Sequence, residues 1–438
     1  MKKTLAFLCC LAMLGSMLTA CGSSTSTGSA TDNATTTNDA ATDDTAAEVN
    51  PEDVTGTLTY WTYTDNAYQL TEEFNKVYPN VTIDVQVFGG DEYKTKILTA
   101  LQGGTDVPDI FDLEEGYVYE FLDSDVIADL SYIDIESLTE NYYDYQKASM
   151  KDSNGNYKCL TFMSNPVCFW YLRDACEQWL GTSDPAEISA MITSWDDMTK
   201  LQEQVYNASN GEVAVFGTIS EMTKVSAFSF DPLVQDGELV ISDDWIGLLD
   251  DMRAFYNSGY DPEYGSWSGE WATAWNTGKL LFRAMPSWDY FTDWDANAGN
   301  VGLAVPFEAS FEGQTCLCVY NESENKDLAG IFVSYIASDE FQIANMEVNN
   351  QVPASKSAIE AMAADFSAED FGGQNLLATY SEILDNVAAI TPDKYTRSAQ
   401  NEFNGCATDG IKAGLSNDEI IADFKSVMAD MYPEVVIN

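Results

Sequence analysis

The sequence predicts an α/β fold built on a parallel sheet. Three runs read as strands: 57–61, the strictly alternating Val81-Thr-Ile-Asp-Val-Gln-Val-Phe88, and Asp109-Ile-Phe-Asp112. Two helical periods separate them, 67–77 with Leu70, Phe74 and Val77 on one stripe, and 93–101. A βαβαβ opening places helices on the faces of a parallel sheet. In such sheets ligands bind beyond the carboxyl ends of the strands, here Trp61-Thr-Tyr-Thr-Asp65 and Asp112-Leu-Glu-Glu115. Both ends are aromatic or acidic, and neither contains a glycine-rich phosphate loop.

The rest of the chain keeps mixing strands with helices. Asp152-Ser-Asn-Gly-Asn156 signals a tight turn before a strand at 159–162, and Asn165-Pro166 precedes another at 167–172. Helical patterns follow at 174–180, 244–257, 326–337, 339–348, 374–388 and 398–414. Ser194-Trp-Asp-Asp197 and Ser416-Asn-Asp-Glu419 each look like a capping box opening a helix. One mid-chain strand pair is expected, 301–305 with 315–320. No internal repeat stands out.

Composition narrows the function. The 438 residues carry 20 Lys+Arg against 71 Asp+Glu, a net charge of −51, and 45% are hydrophobic. That length and apolar content suit two or three domains with a large core. The acidity argues against nucleic acid, whose phosphates need clustered cations, and against a basic face on anionic lipid. The chain has no histidine, which removes Ser-His-Asp and Cys-His catalysis and His-ligated zinc. No cofactor or metal is expected. Asp293-Trp-Asp295-Ala-Asn297 begins like a calcium loop, but Ala298 and Ala304 replace its glycine and its distal carboxylate.

The N-terminus reads as an address. Lys2 and Lys3 precede an apolar run, and Leu18-Thr-Ala-Cys21 follows, so 1–20 is expected to be a signal peptide. The Leu-Thr-Ala-Cys ending resembles the lipobox of bacterial lipoproteins, in which Cys21 is acylated. Residues 22–56 contain no aromatic residue, Lys or Arg, so 21–56 is expected to be a lipidated N-terminus and disordered linker. Of the body's cysteines, Cys159, Cys168, Cys176, Cys316, Cys318 and Cys406, none forms a C-x-x-C, and their default role is as buried small hydrophobes.

Several short strings now follow one another in a recognisable order. They are Tyr171-Leu-Arg-Asp174, Trp195-Asp-Asp-Met198, Gly278-Lys-Leu-Leu-Phe-Arg-Ala-Met-Pro-Ser-Trp288, Gly302-Leu-Ala-Val-Pro306, Asn325-Lys-Asp-Leu-Ala329 and Gln351-Val-Pro-Ala-Ser-Lys356. Behind a lipobox, this order resembles the extracellular solute-binding proteins of carbohydrate-importing ABC transporters, the maltose-binding-protein-like group. The resemblance spans 57–438. Leu172 stands where the group usually has Asn, and Trp288 lacks a preceding Gly.

The resemblance implies a two-lobed periplasmic-binding-protein-like (type II) fold with three interlobe crossovers, near 161–166, 315–320 and 351–355. Lobe 1 would be 57–162 with 317–352, and lobe 2 would be 163–316 with 353–438. It implies a monomeric carrier, lipid-anchored on the outer face of the cell membrane, that hands a carbohydrate to ABC permease subunits. It also implies that Trp288 stacks on a sugar ring, that Asn165 contacts ligand at the first crossover, and that Phe403 contributes an aromatic face.

The residues themselves support a neutral oligosaccharide. Sugars present hydroxyl edges and apolar C–H faces, which aromatic planes and carboxylates suit, whereas an anion would call for Arg or Lys. Trp61, Tyr63, Asp65, Glu114 and Glu115 lie at strand ends. Trp267 and Trp271 lie in the Gly/Ser-rich run Gly265-Ser-Trp-Ser-Gly-Glu-Trp271, where core packing is a weaker explanation. The alternative is a secreted acidic glycoside hydrolase using two of the many carboxylates. The sequence lacks the eight βα units of a barrel enzyme.

Overall fold

The computed structural model describes residues 50–291 and 297–438. The signal segment, Cys21, nearly all of the linker, and Asp293 and Asp295 therefore lie outside the described residues. Ten strands organise the described residues: β1 (Gly56–Thr62), β2 (Val81–Val87), β3 (Ile110–Glu114), β4 (Cys159–Thr161), β5 (Val167–Leu172), β6 (Val234–Gln235), β7 (Glu238–Leu239), β8 (Phe282–Pro286), β9 (Val301–Ala304) and β10 (Thr315–Val319). They form a five-stranded sheet, β2-β1-β3-β10-β4, a three-stranded sheet, β8-β5-β9, and the small β6–β7 hairpin. β1 pairs in parallel with β2 and β3, while β10 runs antiparallel to β3 and β4.

Each large sheet has its own core. Leu58, Tyr60, Ile110 and Phe111 pack with Phe74 and Phe332 in the first lobe. Phe169, Trp170, Phe282 and Leu303 pack with Trp245 and Phe403 in the second. β5 is buried along its whole length, as its unbroken Val-Cys-Phe-Trp-Tyr-Leu requires for a strand covered on both faces. Trp170 buries its indole there at no hydrogen-bonding cost, because its N–H donates to the Met285 carbonyl at 2.9 Å. Cys159, Cys168, Cys176, Cys316 and Cys318 are buried, and Cys159 lies directly opposite Cys318 in the β4–β10 register.

The chain passes between the sheets after β4, between β9 and β10, and after the helix Asp339–Asn349. The first and third passages run side by side: the Ser164 N–H donates to the Val352 carbonyl at 2.7 Å, and its hydroxyl to Pro353 O at 2.9 Å. The second passage corrects the sequence reading. Residues 301–305 and 315–320 do not pair with each other: β9 joins β5, and β10 lies wholly within the first sheet. Two strands close in sequence suggest a hairpin, but here the residues between them cross from one lobe to the other. The boundary drawn at 316/317 therefore falls before Thr315 instead.

Two further differences are local. The linker does not extend to Gly56, because Asn50 caps a short 3-10 turn, Pro51–Asp53, and Asn80 donates to the Glu52 carbonyl at 2.8 Å. Ser416 and Glu419 form a complete capping box, whereas Ser194 only accepts from the Asp197 N–H. The Asp197 carboxylate, one methylene shorter than Glu, is engaged by the Thr193 hydroxyl at 2.6 Å.

Candidate ligand-binding site

Two stacked indoles, one of them exposed, mark the second lobe. Trp288 lies in the turn Ser287–Phe291 that follows β8, and its N–H donates to the Glu312 carbonyl at 3.1 Å. Trp267 is 51% exposed and stacks on it, with ring centroids 5.7 Å apart and planes inclined by only 4°. Its backbone takes φ +68°, a conformation that bulky residues rarely adopt. Behind Trp288 sits Gly313, at φ +76°, where an added Cβ would lie 2.8 Å from the indole nitrogen. Glycine is required there for both reasons.

The four residues 312–315 bring three of the remaining candidates together, Asn165, Glu115 and Tyr63. The Asn165 amide donates to the Gly313 carbonyl at 2.6 Å, and the Glu312 N–H donates to the Asn165 carbonyl at 3.1 Å. The Gly313 N–H donates to the Glu115 carboxylate at 2.9 Å, and the Glu115 N–H to Gln314 O at 2.9 Å. Thr315 and Tyr63 share a hydroxyl–hydroxyl bond of 2.6 Å. A continuous line of contacts thus runs from Tyr63 in the first lobe, through 312–315, to Trp288 and Trp267 in the second.

That line also separates scaffold from exposed surface. Glu115 is 1% exposed, and it and the buried Asn165 are engaged with the 312–314 backbone. Burial pushes the Glu115 carboxyl up, while Arg397 and the Gly313 N–H pull it back down. Asp65 and Glu114 are exposed at the ends of the first lobe's strands. Trp61 is packed edge-on against Phe88 at 5.4 Å, with the Lys96 ammonium 4.5 Å from its ring.

Two candidates belong to packing. Phe403 is 1% exposed and lies edge-on to Trp245 at 4.8 Å and Phe424 at 5.5 Å, inside the second core. The resemblance suggested this residue, but here the helix Thr396–Lys412 turns its ring inward. Trp271 is not in a loop but in the first turn of the helix Gly269–Asn276, 2% exposed, with the Arg283 guanidinium 4.5 Å from its ring. Ser268 caps that helix by accepting the Trp271 N–H at 3.1 Å, which draws the indole into the lobe.

Sequence reasoning missed a charged group beside the tryptophans. Lys224 Nζ lies 3.7 Å from Glu312 Oε2 and 6.0 Å from the Trp267 ring. Arg397 reaches Glu312 Oε1 at 3.6 Å and Glu115 Oε1 at 4.0 Å, so it touches both lobes. The two acids raise the Arg397 pKa, outweighing the opposing effect of its burial. These separations exceed a direct hydrogen bond, so donors and acceptors both keep capacity for a further polar partner. Planar apolar surface beside mixed donors and acceptors is what a polyhydroxylated ring requires. Among the described residues no group of His, Cys, Asp or Glu could hold a metal ion. A separate cavity of about 350 Å³, lined by Met346, Met362, Phe366, Leu376 and Tyr380, contains none of the candidates.

Residues 69–370 match the family described as bacterial extracellular solute-binding protein. The arabinooligosaccharide-binding protein of Halalkalibacterium halodurans is 21% identical over 387 residues, covering 81% of this chain and 84% of that protein. The sugar-binding protein MalE of Xanthomonas citri superposes with a TM-score of 0.71 at 16% identity, over 84% of this chain and 95% of its own. The galacto-N-biose-/lacto-N-biose I-binding protein of Bifidobacterium longum, solved with lacto-N-biose, gives 0.70 at 14% identity, over 88% and 99%. With that match across its two α/β lobes, the chain belongs to the bacterial extracellular solute-binding proteins.

Proposed function

We propose that this protein captures a neutral oligosaccharide between its lobes and delivers it to the permease of an ABC transporter without altering it. The observation that carries this reading is the Trp267–Trp288 pair, parallel within 4°, beside Lys224, Glu312 and Arg397. The pair offers a sugar's C–H face a stacking surface, and the charged group offers its hydroxyls donors and acceptors. The sugar-binding relatives named above agree with it. A hydrolase would need two carboxylates free to act on one glycosidic bond. Near the platform, Glu115 accepts the Gly313 N–H and Glu221 accepts the Ser266 hydroxyl at 2.6 Å, which ties each carboxylate to the scaffold through one oxygen.

Titration against arabino-, malto-, xylo- and galacto-oligosaccharides tests the reading. One series should bind saturably and raise the melting temperature, with no hydrolysis products on long incubation. Binding at a hundredfold excess over Kd adds roughly 2.7 kcal/mol to stability. Release of shorter sugars would make the protein an enzyme.

The Leu-Thr-Ala-Cys boundary and the polar run behind it support a lipid anchor on Cys21, holding the binding body at the outer face of the membrane. Cys21→Ser should release the protein into the medium. A variant still sedimenting with membranes would refute the anchor.

A further inference from the structure

We propose that Arg283 is a positioning residue for the two-tryptophan platform, one buried guanidinium setting the register of both ring-bearing arms. The proposal rests on the reading that this platform receives the sugar. Arg283 lies in β8 and pairs with Asp289, with side chains 4% and 0% exposed. Among the described ion pairs it is the one in which both partners are buried. Asp289 directly follows Trp288, so this pair reaches the first arm.

The second arm is reached through aromatic contacts. The Arg283 guanidinium carbon lies 4.5 Å from the Trp271 ring and 4.4 Å from the Trp275 ring. These residues are four apart on the helix Gly269–Asn276 and so share one face. The helix begins immediately after Ser268, its cap, which follows Trp267. Ser266, on the other side of Trp267, donates its hydroxyl to buried Glu221. Burial pushes the Glu221 carboxyl up, and Lys224 and Arg283 oppose that shift. The left-handed Trp267 backbone is thus held from both sides, by the Ser268 cap and by the Ser266–Glu221 bond.

A buried ion pair adds little net stability, because dehydrating two charges offsets most of their attraction. What Arg283 supplies is geometry. Its guanidinium lies within 4.5 Å of two indole rings and also pairs with a carboxylate, and a lysine ammonium lacks the planar fork that serves both. Neither Arg283 nor Asp289 is exposed, so neither touches ligand. Their effect on binding passes through the ring pair.

The ring pair offers a spectroscopic readout, since stacked indoles give an exciton couplet in far-ultraviolet circular dichroism. Trp267 also lies 5.7 Å from Trp271, with planes inclined by 45°, so Trp288→Ala, which leaves that second pair intact, is the variant that assigns the platform's share of the couplet. Arg283→Lys keeps the charge without the planar fork. Arg283→Met with Asp289→Asn removes both charges and guards against misfolding caused by an unpaired buried carboxylate. In folded, cooperatively melting protein, both should weaken the couplet. Both should also raise Kd roughly tenfold for whichever of arabinotriose, maltotriose or lacto-N-biose binds in titration. A couplet and Kd unchanged in either variant, with only the melting temperature lowered, would reduce Arg283 to a core residue and overturn the proposal. If Trp267→Ala and Trp288→Ala both leave sugar affinity intact, the platform reading fails instead, and the couplet alone decides whether Arg283 sets the rings.

Discussion

Trp288→Ala should weaken oligosaccharide binding by about 1–3 kcal/mol, roughly fivefold to 150-fold, while leaving the protein folded. The ring is only partly buried, packing against the edge of the second core and stacking on the half-exposed Trp267, so its removal takes stacking surface from the site at a modest cost to that core. It also leaves the Glu312 carbonyl without its indole donor, loosening the residue that faces Lys224 and Arg397. Trp288→Phe should fall between the two, since it keeps a plane but loses the N–H. Calorimetric titration measures the effect. An unchanged Kd in a normally melting Trp288→Ala protein would remove the residue from the site.

A second large effect concerns stability and pH. Asp112, the third residue of β3, is buried, and that burial pushes its carboxyl from 3.8 up to about 7. The Tyr60 hydroxyl donates to it at 2.8 Å, which only partly offsets the loss of water. Its protonated form suits the folded state, so this contribution is fully present below about pH 4. It declines as pH rises through 7, where the unfolded chain gains more by ionising. Asp112→Asn keeps an acceptor for Tyr60 and removes the titration. The variant should gain up to about 4 kcal/mol over the parent at pH 8, with the gain vanishing near pH 4. Paired urea unfolding across that range isolates Asp112 from the other acids. A difference that does not change with pH would contradict the account.

The two halves of the fold differ in how far local pattern reveals them. β1, β2 and β3 were legible because alternation, helical stripes and a βαβαβ order are all local signals. The second sheet is less so. β5 and β9 read as strands from their apolar runs, but the pairing of β5 with β8 and β9, far downstream, carries no local mark. The β9–β10 misreading has the same cause, since lobe membership is decided by tertiary pairing.

At the site, Trp267 and Trp288 could be named from sequence because a Gly/Ser-rich run and a motif set them apart. Their stacking on each other could not. Trp271 was misread because its neighbours Gly265, Ser266, Ser268 and Gly269 suggested a loop, whereas Ser268 is a helix cap. Lys224, Glu312 and Arg397 gave no signal. Each lies far from the others in sequence, and one glutamate among 71 acids is not conspicuous.

In the function proposed above, sugar lies between the lobes and bridges them. Arg397 already reaches from the second lobe toward Glu115 of the first, and residues 312–315 tie Tyr63 to Trp288 across the same passage. A ligand shifts an opening equilibrium only by its differential affinity for the two states, and contacts from both lobes supply that difference. Small-angle scattering with and without saturating oligosaccharide tests this most directly. The radius of gyration should fall when sugar binds, and should stay at the sugar-free value when the same sugar is added to Trp288→Ala below its weakened Kd. Tight, saturable binding with no change in the radius of gyration would contradict capture between the lobes.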